Sequence, residues 1–174
     1  MTSQSGESTE AAETGARVER FEVQRTIPVD AASIFRVLSD PMGHVAIDSA
    51  GMLMDATGDP VSAVDDTFVV HMDREALNDY PLGRYDVTVK IVDFEPDREI
   101  AWTIEGQIKP QIGHVYGYHL EPAAEGEGTL VTSYYDWSGI DETWKKADIF
   151  PIIPESALRA TLGILDRTVR RGWD

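Results

Sequence analysis

The sequence predicts an α+β domain in which a curved antiparallel sheet of about six to seven strands wraps around one long C-terminal helix. Three observations carry that expectation. Apolar and polar residues alternate with period two in successive segments between residues 21 and 137. The later segments are joined by short turn-forming stretches, as in an antiparallel meander. The end of the chain then switches to helical spacing.

The first strand is read from Phe21, Val23, Arg25 and Ile27 alternating with Glu22, Gln24 and Thr26. Pro28 ends it, because proline removes a ladder donor. Asp30 suits an N-cap, and Ile34, Phe35, Val37 and Leu38 give the following short helix its apolar side, with Asp40-Pro41 as the stop. A second short helix is expected over Met42 to Asp48, closing at Gly51. Asp66 to Asp73 reads as a strand with Phe68, Val70 and Met72 on one face. Tyr85, Val87, Val89 and Ile91 mark the next. Pro96-Asp97 makes a turn before Ile100, Trp102 and Ile104. His114, Tyr116, Tyr118 and Leu120 share a face of a further strand, the polar stretch Ala123 to Gly128 is a loop, and Leu130 to Trp137 closes the run. From about Pro154 to Arg171, Leu158, Leu162, Leu165 and Val169 recur at four-three-four spacing, a stripe wide enough to lie on a sheet.

The chain has 174 residues with 15 Lys+Arg against 31 Asp+Glu, a formal charge of −16. That length fits one domain with a real core or an enclosed cavity. The negative field argues against nucleic acid, whose phosphates need Lys and Arg, and against anionic lipid surfaces. There is no cysteine, so disulfides, Cys-ligated metals and thiol nucleophiles are excluded. Residues 1–17, rich in Ser, Thr, Glu and Gly, read as a disordered acidic tail without the features of a secretory signal, and residues 18–174 as the domain. With no apolar run long enough to span a bilayer, the expected location is the cytoplasm, without stable membrane insertion.

The strand, two short helices, strand run and long helix resemble the helix-grip fold of the START-like, Bet v 1-like (SRPBCC) superfamily, and within it the polyketide cyclase/dehydrase and lipid-transport group common in actinobacteria. The residues that carry the likeness are Thr26-Ile27-Pro28-Val29-Asp30 with Ile34-Phe35, Asp40-Pro41, and His44-Val45-Ala46-Ile47-Asp48-Ser49-Ala50-Gly51. Downstream, Val131 to Gly139 and the Leu158–Leu165 helix also fit. Relatives often read Asp-Gly-Ser-Gly where this chain has Asp48-Ser49-Ala50-Gly51. The resemblance implies a mostly apolar cavity between the concave sheet face and the helix, and a small hydrophobic partner, ring-containing or polyketide- or lipid-like, to fill it. Given that cavity, the strand phases nominate Phe68, Met72, Tyr85, Val89, Trp102, His114, Tyr116 and Tyr118, with Leu158, Leu162 and Leu165 from the helix, as its lining. For each of these the alternative is plain core packing.

His44 and Asp48 lie one helical turn apart, and read either as a proton-transfer pair beside the cavity or as a local hydrogen bond that shapes the helix. His71 and Asp73 share a strand face, but no further ligands complete a metal site. Asp65-Asp66 and Asp93 to Glu99 fall at strand starts and turns, where Asp serves local hydrogen bonding. There is no nucleophile elbow, phosphate loop or dinucleotide glycine pattern, and no cofactor is expected. Residues 139–154 read either as a lid or as an ordinary connection with one helical turn. Two functions stay open: a module that binds a hydrophobic ligand, or an aromatase/cyclase-like enzyme using His114, Tyr116 and Tyr85 for proton transfer. The acidic surface reads as a solubility device or a face for a basic partner, and one sequence leaves a homodimer open.

Overall fold

A computed structural model describes residues 16–174. The expected tail thus lies almost wholly outside the described residues, and Arg17, its last member, pairs with Asp148. The chain order is β1 (Arg20–Ile27), α1 (Ala31–Ser39), α2 (Pro41–Ile47), β2 (Leu53–Thr57), β3 (Thr67–Asp73), β4 (Arg84–Glu95), β5 (Glu99–Glu105), β6 (Val115–Pro122), β7 (Thr129–Asp136), α3 (Glu142–Ala147) and α4 (Glu155–Arg171). The strands form one antiparallel sheet in the order β1-β7-β6-β5-β4-β3-β2. α4 packs against β1, α2 and α1, so the sheet wraps the helix as the sequence predicts.

Local chemistry explains the elements. Asp30 caps α1 by accepting from the Ser33 amide at 2.9 Å and its hydroxyl at 2.8 Å. Asp40 ends α1 and starts α2 at once: Pro41 occupies the first helical turn, and the Asp40 carboxylate accepts from the Met42 amide at 2.9 Å. The second helix therefore begins one residue earlier than expected, and Asp48 is its C-cap rather than its last member. Likewise Pro154 is the N-cap of α4, not its first residue. The strand β2 was not anticipated. It is a five-residue edge strand with a register shift between Leu53 and Asp55, and it shows no clean alternation.

The inward face of the sheet and the α4 stripe form one core, in which Ile27, Ile91, Ile100, Val131, Leu162 and Leu165 are fully buried. Each such side chain contributes about 1.5–3 kcal/mol. Arg25 of β1 donates to Asp166 of α4 at 2.8 Å, and Arg170 closes on the same carboxylate, which is 3% exposed. Burial pushes the Asp166 carboxyl up, but hydrogen bonds from Arg170 and Arg25 outweigh it and hold it below the usual range. On the outer face the Tyr134 ring lies flat over Gly117, where a Cβ would come within 2.2 Å of it. Among the described residues, no helix is long and apolar enough to cross a membrane.

The helix pair α1–α2 meets backbone to backbone at Gly43, where an added Cβ would stand 1.8 Å from the Val37 carbonyl oxygen. Gly43→Ala must push the helices apart, and is expected to cost at least about 1–3 kcal/mol. Gly139→Ala, which meets nothing within 4 Å, should cost little by comparison. Urea unfolding of the two variants checks this; equal midpoints would show that the approach is not tight.

Candidate functional site

Between the sheet and the first half of α4 the structure forms a cavity of about 210 Å³ that opens to the surface. Strand phase builds its floor: Val70 and Met72 from β3, Val89 from β4, Trp102 and Ile104 from β5, Tyr116 and Tyr118 from β6, and Ser133 from β7. Cross-strand register sets Trp102 beside Tyr116 and Ser133 beside Tyr118. α2 and the segment after it supply His44, Ile47, Asp48, Ser49, Ala50, Met52 and Leu53, and the α4 side supplies Ile153, Ala157, Leu158 and Thr161. At the rim, Thr161 Oγ1 donates to Ser49 Oγ at 3.1 Å, tying the α2–β2 segment to α4.

Of the residues nominated from the sequence, Met72, Val89, Trp102, Tyr116, Tyr118, Leu158, His44 and Asp48 lie on this wall. Phe68, Tyr85, His114, Leu162 and Leu165 do not. Phe68 is buried behind His44, with ring centroids 5.0 Å apart. Leu162 and Leu165 sit deeper along α4, where helix and sheet are in direct contact. Tyr85, at the start of β4, accepts from Arg74 Nη1 at 3.1 Å, and Arg74 is itself held bidentately by Asp79. His114 precedes β6 and is buried against Tyr135, Tyr116 and Phe150, with Nδ1 hydrogen-bonded to the Tyr135 hydroxyl at 2.9 Å. Val70 and Ile104 share a phase with nominated neighbours and were readable from it; the Ser49–Leu53 segment and Ile153 had no such signal. Residues 139–154 carry α3, whose Trp144 donates to the Pro110 carbonyl at 3.0 Å, and end on the cavity through Ile153.

His44 and Asp48 do not pair with each other. His44 Nε2 donates to the Leu38 carbonyl at 2.8 Å, while the Asp48 carboxylate accepts from the amides of Ala50 and Leu53, each at 3.0 Å. Leu38 lies in the last turn of α1, so the imidazole satisfies a carbonyl left unpaired by the helix end. Burial lowers the His44 pKa to about 4, with the Leu38 bond and Asp40 offsetting it only in part. Burial likewise lowers that of His114 to about 4 and pushes the Tyr116 and Tyr118 hydroxyls up. The rings form a continuous series: His44 to Trp102 at 4.7 Å, Trp102 to Tyr116 at 6.1 Å, and Tyr116 to Tyr135 at 4.6 Å. On the outer face His71 donates from Nδ1 to Asp86 at 2.7 Å and meets Thr57 through Nε2 at 2.8 Å. Among the described residues no three His, Asp or Glu are placed to hold a metal ion.

The sequence profile described as polyketide cyclase/dehydrase and lipid transport matches residues 18–170. The chain belongs to this family. No curated protein matches its sequence. Solved structures similar to this family member include a protein of Deinococcus radiodurans, at 19% identity and a TM-score of 0.59 over 88% of this chain and 98% of that one. A second is the Aha1 dimer from Colwellia psychrerythraea, at 14% identity and a TM-score of 0.57 over 89% and 98%. A third is a norcoclaurine synthase point mutant from Thalictrum flavum, solved in complex with a transition-state analogue, at 15% identity and a TM-score of 0.58 over 87% and 94%. At these identities the likeness is one of fold, the Bet v 1-like helix grip, which hosts many unrelated activities.

The buried histidines of this family member make its stability depend on acid. In the unfolded chain both titrate near ~6.5, whereas folding holds them neutral down to about 4. Their contribution is complete above the unfolded value and is lost as pH falls from there toward the folded one. Each adds a slope of up to about 1.4 kcal/mol per pH unit within that window. Urea unfolding across it should show the loss, and His44 and His114 imidazole resonances should remain those of neutral rings at about pH 5. Rings that protonate with ordinary midpoints would contradict the burial argument.

Proposed function

We propose that this chain binds a small apolar, ring-bearing molecule in the cavity between the sheet and α4, as a carrier or sequestering protein. The observation that carries this reading is the wall itself: Trp102, Tyr116 and Tyr118 offer flat apolar area beside Met72, Val89 and Leu158, with few polar groups among them. A dry apolar cavity of ~150 Å³ is enough for benzene. About 210 Å³ therefore suits a substituted ring or a compact bicycle. A long polyketide or acyl chain exceeds that space and would have to extend out through its open side.

The family's cyclase and dehydrase members raise catalysis in the same cavity as the other reading. It has weaker support here. General acids and bases work best with pKa values near the working pH. Burial instead drives the two inner histidines down and the inner tyrosines up. His114, the leading acid/base candidate of the sequence, faces Tyr135 and Phe150 rather than the cavity.

Native mass spectrometry of the protein purified from its own host is expected to reveal a co-purifying apolar compound of one or two rings. Binding of such compounds should quench Trp102 fluorescence. Ala157→Phe, which fills the cavity from α4, should weaken binding at least about tenfold while leaving the circular dichroism spectrum unchanged. Equal affinity in that variant would place the ligand elsewhere.

A further inference from the structure

Beside the Tyr116, Tyr118 and Ser133 hydroxyls, the cavity wall carries two ring nitrogens that the protein does not pair, an acceptor on His44 and a donor on Trp102. A carbonyl oxygen only accepts, so the bond from His44 Nε2 to Leu38 puts the ring proton on Nε2. The neutral ring then presents a bare lone pair at Nδ1. Among the described residues Nδ1 has no partner, and no buried side-chain nitrogen or oxygen lacks one. Nδ1 is therefore open, and the space that His44 borders is the cavity. The same reasoning holds for the indole Nε1–H of Trp102, which has no partner among the described residues and belongs to the same wall. The two rings meet edge to face, with centroids 4.7 Å apart, so the free acceptor and the free donor stand on touching side chains.

We propose that the ligand is an uncharged ring compound bearing a hydroxyl group, oriented by donation to His44 Nδ1 and acceptance from Trp102 Nε1–H. This rests on the binding function proposed above and adds the ligand's chemical class. A hydroxyl is the smallest group that both donates and accepts. A ketone could accept from Trp102 but would leave the His44 lone pair unpaired, and a hydrocarbon would leave both ring nitrogens unpaired. A carboxylate brings only lone pairs and a charge. It would face the lone pair of a ring that resists protonation and lie on the same wall as Asp48, whose oxygens are turned to the amides of its own loop.

The test uses the full chain and three probes of one shape: naphthalene, 2-naphthol and 2-naphthoate. Calorimetry or Trp fluorescence should rank 2-naphthol about tenfold to a hundredfold above naphthalene, with 2-naphthoate weakest. With histidine labelled by ¹⁵N, the Nδ1 resonance of His44 should start at the position of a bare lone pair and move upfield on adding 2-naphthol but not naphthalene. Trp102→Phe should narrow the ratio of 2-naphthol to naphthalene affinity, and the unaltered protein supplies the NMR readout should His44 variants fold poorly. Equal binding of naphthalene and 2-naphthol with an unmoved His44 resonance overturns the hydroxyl class while leaving an apolar cavity in place. Tightest binding of 2-naphthoate overturns it as well. Failure of all three probes to bind overturns the binding function itself, and the hydroxyl class with it.

Discussion

The seating of α4 on the sheet decides where packing ends and open space begins. In its second half the helix is clamped: Leu162 and Leu165 are wholly buried, and Asp166 is held by Arg25 from the edge strand and Arg170 from one turn on. A buried carboxylate costs much unless its charge is met, and here two guanidiniums meet it while Arg25 keeps part of its own surface in water. That clamp fixes the helix against β1 at one end. In the first half, Ala157, Leu158 and Thr161 stand off from the strands, and the gap is the cavity. Core and cavity are thus two ends of one helix–sheet contact, separated by about one turn of α4.

A second constraint links the early helices to the same space. Gly43 lets α2 come up against the Val37 carbonyl, which places the His44 ring within reach of Leu38. One hydrogen bond then does two things. It satisfies an orphan carbonyl at the end of α1, and it fixes which nitrogen of a cavity-wall imidazole holds the proton. Phe68 and Trp102 both pack edge-to-face with that ring, so its direction is set by β3 and β5 as well as by α2. A local helix-capping need therefore defines a polar group of the candidate site.

Much of this was legible because strands have period two. Alternation alone turns Met72, Val89, Trp102, Tyr116 and Tyr118 to one face, and the chain order tells that the helix covers it. Alternation does not say how far along a strand the helix stays in contact. Tyr85 and His114 have the right phase yet lie at strand ends beyond the cavity, and Leu162 and Leu165 lie on the right stripe yet on its packed half. The i,i+4 spacing of His44 and Asp48 was real, but each found a backbone partner from another turn, which spacing cannot reveal. β2 escaped notice because an edge strand with a bulge needs no alternating face. Arg25 shares the inward phase of Val23 and Ile27, but strand phase does not say that its partner is Asp166 on α4.

The electrostatics of the interior push its histidines and tyrosines apart in proton affinity. Desolvation acts in opposite directions on the two kinds of titratable group on the inner face: it removes protons from His44 and His114 and retains them on Tyr116, Tyr118 and Tyr135. The groups end far apart in proton affinity, so a transfer between a tyrosine hydroxyl and a histidine is strongly uphill. The charge of Arg74 draws the Tyr116 pKa down only in part, and that guanidinium is committed to Asp79 and the Tyr85 hydroxyl. Groups that cannot exchange protons can still make directional hydrogen bonds, and in an apolar wall each such bond discriminates strongly. The same burial that separates these proton affinities surrounds the free polar atoms of the wall with apolar area.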